Sequence, residues 1–133
     1  MKTLPLRLQP GQDLRAALAG VLADQGAAAG FVLQGIGSLR GARLRLAGAS
    51  DATEVEGDIE ILTLAGSLSP DGPHLHMALA DAAGRVVGGH VLAGCTIRTT
   101  AEILVALLPA HRFTREPDAA SGFDELVVHS HDG

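Results

Sequence analysis

The four residues Asp81, Ala82, Ala83 and Gly84 restrict the fold more than any other stretch. They suit a type I turn closed by a glycine in the left-handed region, the usual three-residue hairpin loop. The turn lies inside residues 72–94, with Gly-Pro-His-Leu-His-Met-Ala-Leu-Ala before it and Arg-Val-Val-Gly-Gly-His-Val-Leu-Ala-Gly after it. Such a hairpin pairs Asp81 with Arg85. Counting outward, it pairs Met77 with Gly89 and His76 with His90. His74 and His76 are two apart and share a strand face. Directly paired residues have Cβ atoms about 5 Å apart. The turn therefore predicts that His74, His76 and His90 converge on one face of two adjacent strands. Three neutral imidazoles form an open metal site, with a fourth position left for water or a ligand. Zinc is the expected ion, and nickel, iron or copper also suit such donors. The competing reading is structural, with each ring solvated or held by hydrogen bonds. Gly88 and Gly89 remove side chains beside the cluster and allow a close approach.

At 133 residues the chain is long enough for one domain with a real core. It has no Trp or Tyr, so that core must be built from Leu, Val, Ile and Ala. A small chain that is 47% hydrophobic has apolar surface left over, which favours a homo-oligomer. The formal net charge of −5 argues against binding nucleic acid through bulk electrostatics. The one local basic cluster is Arg40, Arg43 and Arg45. Arg43 and Arg45 alternate with Leu44 and Leu46 as the polar face of a strand, with an anion contact as the alternative. Cys95 stands alone in an apolar run, so no intramolecular disulfide forms and a core role is expected. Pro5, Arg7 and Gln9 interrupt any signal-peptide core, and no window is a membrane span. A cytoplasmic protein with no membrane partner is the expectation.

Along the chain, Leu4, Leu6 and Leu8 alternate as a strand, and Pro5 marks an edge or a strand start. From Asp13 the apolar period changes to three and four through Leu14, Ala17, Leu18, Val21 and Leu22. That predicts one main helix over about residues 13–26, started by Gln12 or Asp13 and ended by Gly26. Strands are predicted over 29–39, 41–47 and 58–68, with Gly66 as a bulge and 51–57 as a loop. Gly35-Ile36-Gly37-Ser38 meets neither phosphate-binding fingerprint, because the spacing fails and a strand follows. Residues 101–108 are ambiguous between helix and strand; Pro109 and the β-branched residues favour a strand. Residues 109–122 read as a loop, and 123–128 as a short closing strand. The prediction is an α+β single domain over 1–128, mainly an antiparallel β-sheet of six or seven strands with one main helix. Residues 129–133 are expected to be a flexible C-terminal tail, in which His129 and His131 bind metal at most adventitiously.

Two blocks carry a family resemblance. One is Gly57-Asp58-Ile59-Glu60-Ile61-Leu62-Thr63-Leu64-Ala65-Gly66-Ser67-Leu68. The other runs from His74-Leu75-His76-Met77-Ala78-Leu79-Ala80-Asp81 through Gly84-Arg85-Val86-Val87-Gly88-Gly89-His90-Val91. In these blocks the chain resembles the plants-and-prokaryotes-conserved (PPC) domain, over nearly its whole length. The resemblance implies a compact α+β fold that assembles into a homotrimer, and it supports His74, His76 and His90 as a metal site. In plants the domain follows an AT-hook, Arg-Gly-Arg-Pro, in nuclear DNA-binding proteins. This chain has no such element, and Asp58-Ile59 stands where the plant version has Arg-Phe. A stand-alone prokaryotic type is therefore expected.

Three functions follow. The first is a homotrimeric domain that binds a divalent metal or a small-molecule ligand through the three histidines, with a regulatory role open to it. The second is DNA binding tied to transcription, which rests on the family label and runs against the net charge. The third is a small metal-dependent enzyme, in which bound water would ionise near neutral pH. That enzyme needs a general acid or base, for which Glu60 and Glu102 are the candidates. A non-catalytic role is the leading expectation.

Overall fold

The computed structural model describes residues 1–131, in which eight strands and two short helices follow one another. Their order is β1 (Lys2–Leu8), α1 (Leu14–Ala19), α2 (Val21–Gln25), β2 (Gly30–Arg45), β3 (Thr53–Ser69), β4 (Gly72–Ala80), β5 (Val86–Val91), β6 (Ile97–Leu107), β7 (His111–Pro117) and β8 (Asp124–Ser130). Six strands form an antiparallel sheet ordered β1-β6-β2-β3-β4-β5, and β7 pairs with β8 as a separate ribbon. The α+β class and the antiparallel sheet are as the sequence predicts. Pro5 sits on the edge strand β1, where a missing N–H is tolerated.

The helical segment is divided rather than continuous. Asp13 caps α1 by accepting from the Ala16 N–H at 2.9 Å. Its other carboxylate oxygen accepts from the Gly94 N–H at 2.7 Å, which ties the helix start to the loop after β5. Gly20, the poorest helix former in the segment, stands between α1 and α2. Gly26, with φ 64°, closes α2 in the left-handed conformation. Leu14, Leu18, Val21 and Leu22 are buried against the sheet, as their spacing predicts.

β2 merges the two strands expected at 29–39 and 41–47. A bulge between Arg40 and Ala42, at Gly41 with φ 78°, bends the strand without ending it. Its first half lies between β6 and β3. Its last residues cross to β5, where Leu44 pairs with Val91 and Arg45 with His90. The strands β2, β3, β4 and β5 thus close a ring around an aliphatic core. Leu39, Leu44, Ile59, Leu64, Leu75, Leu79 and Val91 are each no more than 1% exposed there.

Other boundaries differ from the sequence reading. β3 starts at Thr53, so most of the loop expected at 51–57 is strand. Its register shifts between Ile61 and Thr63, not at Gly66. Gly66 serves a close approach instead: a Cβ there would collide with the His74 carbonyl oxygen. Residues 97–107 form one strand, which settles the ambiguity at 101–108. Residues 111–117 are strand, not loop, and β8 runs to Ser130. His129 and Ser130, expected in the tail, therefore end a strand; Asp132 and Gly133 lie outside the described residues.

Candidate metal centre

Turn chemistry places the three histidines. Asp81 donates its N–H to the Arg85 carbonyl at 2.9 Å, Gly84 has φ 80°, and the Asp81 carboxylate accepts from the Ala83 and Arg85 N–H groups. The register is the one the turn predicts: His76 opposite His90 and Met77 opposite Gly89. Leu75, Met77 and Leu79 point into the core, and His74 and His76 take the alternate face. Gly89 has a second partner. A Cβ there would lie 2.8 Å from the Arg45 carbonyl oxygen, so the approach that the glycine pair permits is that of the chain's own β2.

The ring centroids of His74 and His76 are 5.0 Å apart, those of His74 and His90 5.2 Å, and those of His76 and His90 5.8 Å. One nitrogen from each ring lies within 4.8 Å of the other two. Tetrahedral zinc with Zn–N of about 2.0–2.1 Å needs nitrogens about 3.3 Å apart. The backbone already holds the rings on one face, so the change that a zinc ion would require is a turning of the side chains. His74 and His90 are half-buried and His76 is exposed. Burial, followed by the Arg115 guanidinium, lowers the pKa of His74. Burial, followed by Arg45, pushes His90 down to about 4. Both rings are therefore neutral at pH 7, the form that binds a metal.

The ribbon brings further groups to the cluster. Phe113 is buried edge-on against Phe31, with centroids 5.7 Å apart. Two residues on, the Arg115 guanidinium donates to Ser67 Oγ at 2.7 Å, and the Arg115 backbone N–H donates to the Asp71 carboxylate at 2.8 Å. Ser67 pairs with His74 across β3 and β4, so Arg115 stands beside the centre. A cleft of about 460 Å³ opens there, and its walls include His74, His90, Arg15, Arg45, Arg115 and Glu125. The sequence reading missed Arg15, Arg115 and Glu125. The one local signal was the two-residue spacing of Phe113 and Arg115, which puts them on one face only if 111–117 is a strand.

Other candidates fall elsewhere. Glu60 and Glu102 line a different cleft, together with Ser38 and Arg98, and the structure does not bring them to the histidines. Cys95 is buried in the core, and burial raises its thiol pKa. Arg43 pairs with Glu54 at 2.6 Å, whereas Arg45 faces His90. His129 contacts Thr114 and Glu116 on the ribbon. Among the described residues no helix is long and apolar enough to cross a membrane.

Comparison with known proteins gives relatives at several distances. The chain is 51% identical over 128 residues to the bifunctional protein GlmU of a Synechococcus strain, which covers 96% of this chain and 20% of that protein. It thus spans about a fifth of the length of the curated relatives that it matches. A hypothetical protein from Salmonella cholerae-suis superposes with a TM-score of 0.93 at 39% identity, covering 98% of this chain and 94% of that one. A protein from Archaeoglobus fulgidus, described as metal-containing, has a TM-score of 0.79 at 26% identity, covering 96% and 94%. A candidate DNA-binding protein from Bacteroides thetaiotaomicron has a TM-score of 0.81 at 19% identity, covering 94% and 91%, a likeness of fold alone. Residues 1–109 match the model of the Plants and Prokaryotes Conserved (PCC) domain, and the chain belongs to that family, the one its two sequence blocks resemble.

Proposed function

We propose that the chain binds one divalent metal ion, zinc by preference, through His74, His76 and His90, and keeps a fourth coordination position for water or a small ligand. The observation that carries this reading is the triad itself: three donor nitrogens within 4.8 Å, supplied by paired strands. The Archaeoglobus relative described as metal-containing supports it at 26% identity. The bound ion would supply Lewis acidity at the open position. Burial, with Arg115 and Arg45 nearby, keeps His74 and His90 neutral, and the strand pairing sets the three rings on one face. Because Glu60 and Glu102 line another cleft, we favour ligand binding with a regulatory outcome over catalysis. In an enzymatic reading the acid–base group would be Glu125, which lines the cleft with His74 and His90.

We further propose a homotrimer. Ile36, Leu62 and Leu104 are 49%, 46% and 39% exposed on neighbouring strands, an apolar strip suited to a second copy. Sedimentation equilibrium is expected to give three chains per particle, and Leu104→Glu to dissociate it; a monomer at micromolar concentration contradicts the assembly.

Elemental analysis of tag-free protein tests the metal. The expected result is one equivalent per chain after zinc reconstitution, lost in His76→Ala and His90→Ala. Wild-type protein that stays metal-free after reconstitution contradicts the reading. The DNA-binding alternative has the Bacteroides likeness behind it and a net charge of −5 against it. Micromolar protein is expected to cause no mobility shift of random duplex at low salt.

A further inference from the structure

Arginines are placed unevenly in this molecule. Arg40, Arg43, Arg85 and Arg98 each lie within 4.0 Å of a carboxylate. Among the described residues the side chains of Arg7, Arg15, Arg45, Arg112 and Arg115 have no such partner, and three of these five, Arg15, Arg45 and Arg115, line the one cleft that His74 and His90 share. They come from α1, β2 and β7, so three separate elements deliver them. Arg15 reaches the Pro73 carbonyl at 3.4 Å, at the base of the histidine strand. Arg45 is register-paired with His90. Arg115 uses one Nη2–H on Ser67 and keeps other donors for the cleft.

The cleft also holds Asp71, Asp124 and Glu125, all exposed. Asp71 accepts from the Arg115 backbone N–H, which leaves the guanidinium out of that contact. Three arginines and three carboxylates cancel formally, so a divalent ion on the triad would leave the cleft with two net positive charges. Guanidinium groups present forked donors that match carboxylate and phosphate oxygens.

We propose that this cleft is a binding site for a small oxyanion, a carboxylate or a phosphate group, one oxygen of which takes the open position on the metal while Arg45, Arg115 and Arg15 hold the others. The proposal rests on the metal reading above and adds the class of ligand to it. At about 460 Å³ the cleft has room for a small organic acid or a phosphate ester as well as a free ion. Phe123, 74% exposed at the cleft wall, offers an apolar surface to such a ligand's carbon skeleton.

Calorimetric titration of inorganic phosphate and of malonate into zinc-loaded and metal-free protein, at low salt, tests it. Metal content is measured on every sample, so a failed metal site is recognised separately. Zinc-loaded wild type is expected to bind at least one of the two anions saturably, the tighter one identifying the headgroup. Arg45→Gln and Arg115→Gln are expected to weaken that binding at least tenfold while keeping one zinc per chain. Arg112→Gln, outside the cleft, is expected to behave as wild type. If zinc does not load, the metal reading fails, and the metal-free protein must still show weaker binding with the same arginine dependence. Absence of saturable anion binding, or equal affinity in wild type, Arg45→Gln and Arg115→Gln, overturns the proposal.

Discussion

The two faces of the β4–β5 hairpin are made by one alternation and do opposite work. Inward go Leu75, Met77, Leu79 and Val91, each no more than 4% exposed. Outward go His74, His76 and His90, whose rings stand beside one another, with His74 and His90 lining a cleft. The inward face sets stability through buried area. The outward face contributes little packing and carries the three proposed metal ligands. The two are coupled only through the backbone register, which the turn and Gly89 fix. Substitutions can therefore separate them.

The largest effect is expected on the inward side. Leu75→Ala removes a side chain that is 1% exposed and should cost about 3–5 kcal/mol in urea unfolding. The folded fraction is expected to keep its full metal equivalent. Loss of metal from folded Leu75→Ala protein would break the separation of the faces.

His76→Ala comes next and is the mirror image. Removing an outer-shell partner of a metal ligand already costs 10- to 100-fold in affinity. Deleting one of three ligands should cost more than about 100-fold, read by competition with a chromogenic chelator. His76 is exposed, so the metal-free stability should change by no more than about 0.5 kcal/mol.

Gly89→Ala tests the coupling. The new Cβ meets the Arg45 carbonyl oxygen, a backbone atom, at 2.8 Å, so β5 or β2 must shift. A loss of about 1–3 kcal/mol is expected, together with weaker metal binding, because His90 is the next residue. An effect on stability alone would show that the histidines tolerate a shifted register.

The smallest effect is the response to acid. The folded pKa of His90 lies near 4 and that of His74 is also lowered, both mainly by burial. The unfolded chain therefore binds protons that the folded chain refuses between pH 6.5 and about 4. This contribution to stability is complete above pH 6.5 and is lost as pH falls through that window. Solvent screening around half-exposed rings reduces its size. Urea midpoints of metal-free wild type should fall more steeply from pH 7 to 4.5 than those of His90→Gln; parallel curves would contradict the depressed pKa.

The hairpin was legible because its register depends on local chemistry, Asp81 and Gly84 in a turn of fixed length. The helix end at Gly26 was legible for the same reason, and its start was narrowed to Gln12 or Asp13, of which Asp13 is the cap. The ribbon was not. Residues 111–117, His-Arg-Phe-Thr-Arg-Glu-Pro, contain one large apolar side chain, Phe113, so no alternation reveals a strand whose stability comes from its docking on Phe31 and Ser67. The crossing of β2 from β6 to β5 was likewise hidden, since a glycine bulge at Gly41 resembles a strand end in sequence. The same limit hid the arginine cleft. Arg15, Arg45 and Arg115 are far apart in the chain, and only the closed ring and the docked ribbon bring them to the histidines.

Zinc K-edge absorption on reconstituted, tag-free protein tests the central claim most directly. The expected spectrum shows three imidazole nitrogens at about 2.0 Å with their ring scattering, and one further light atom. Fewer than three imidazoles, or a sulfur at about 2.3 Å that would implicate Cys95, contradicts a centre built from His74, His76 and His90.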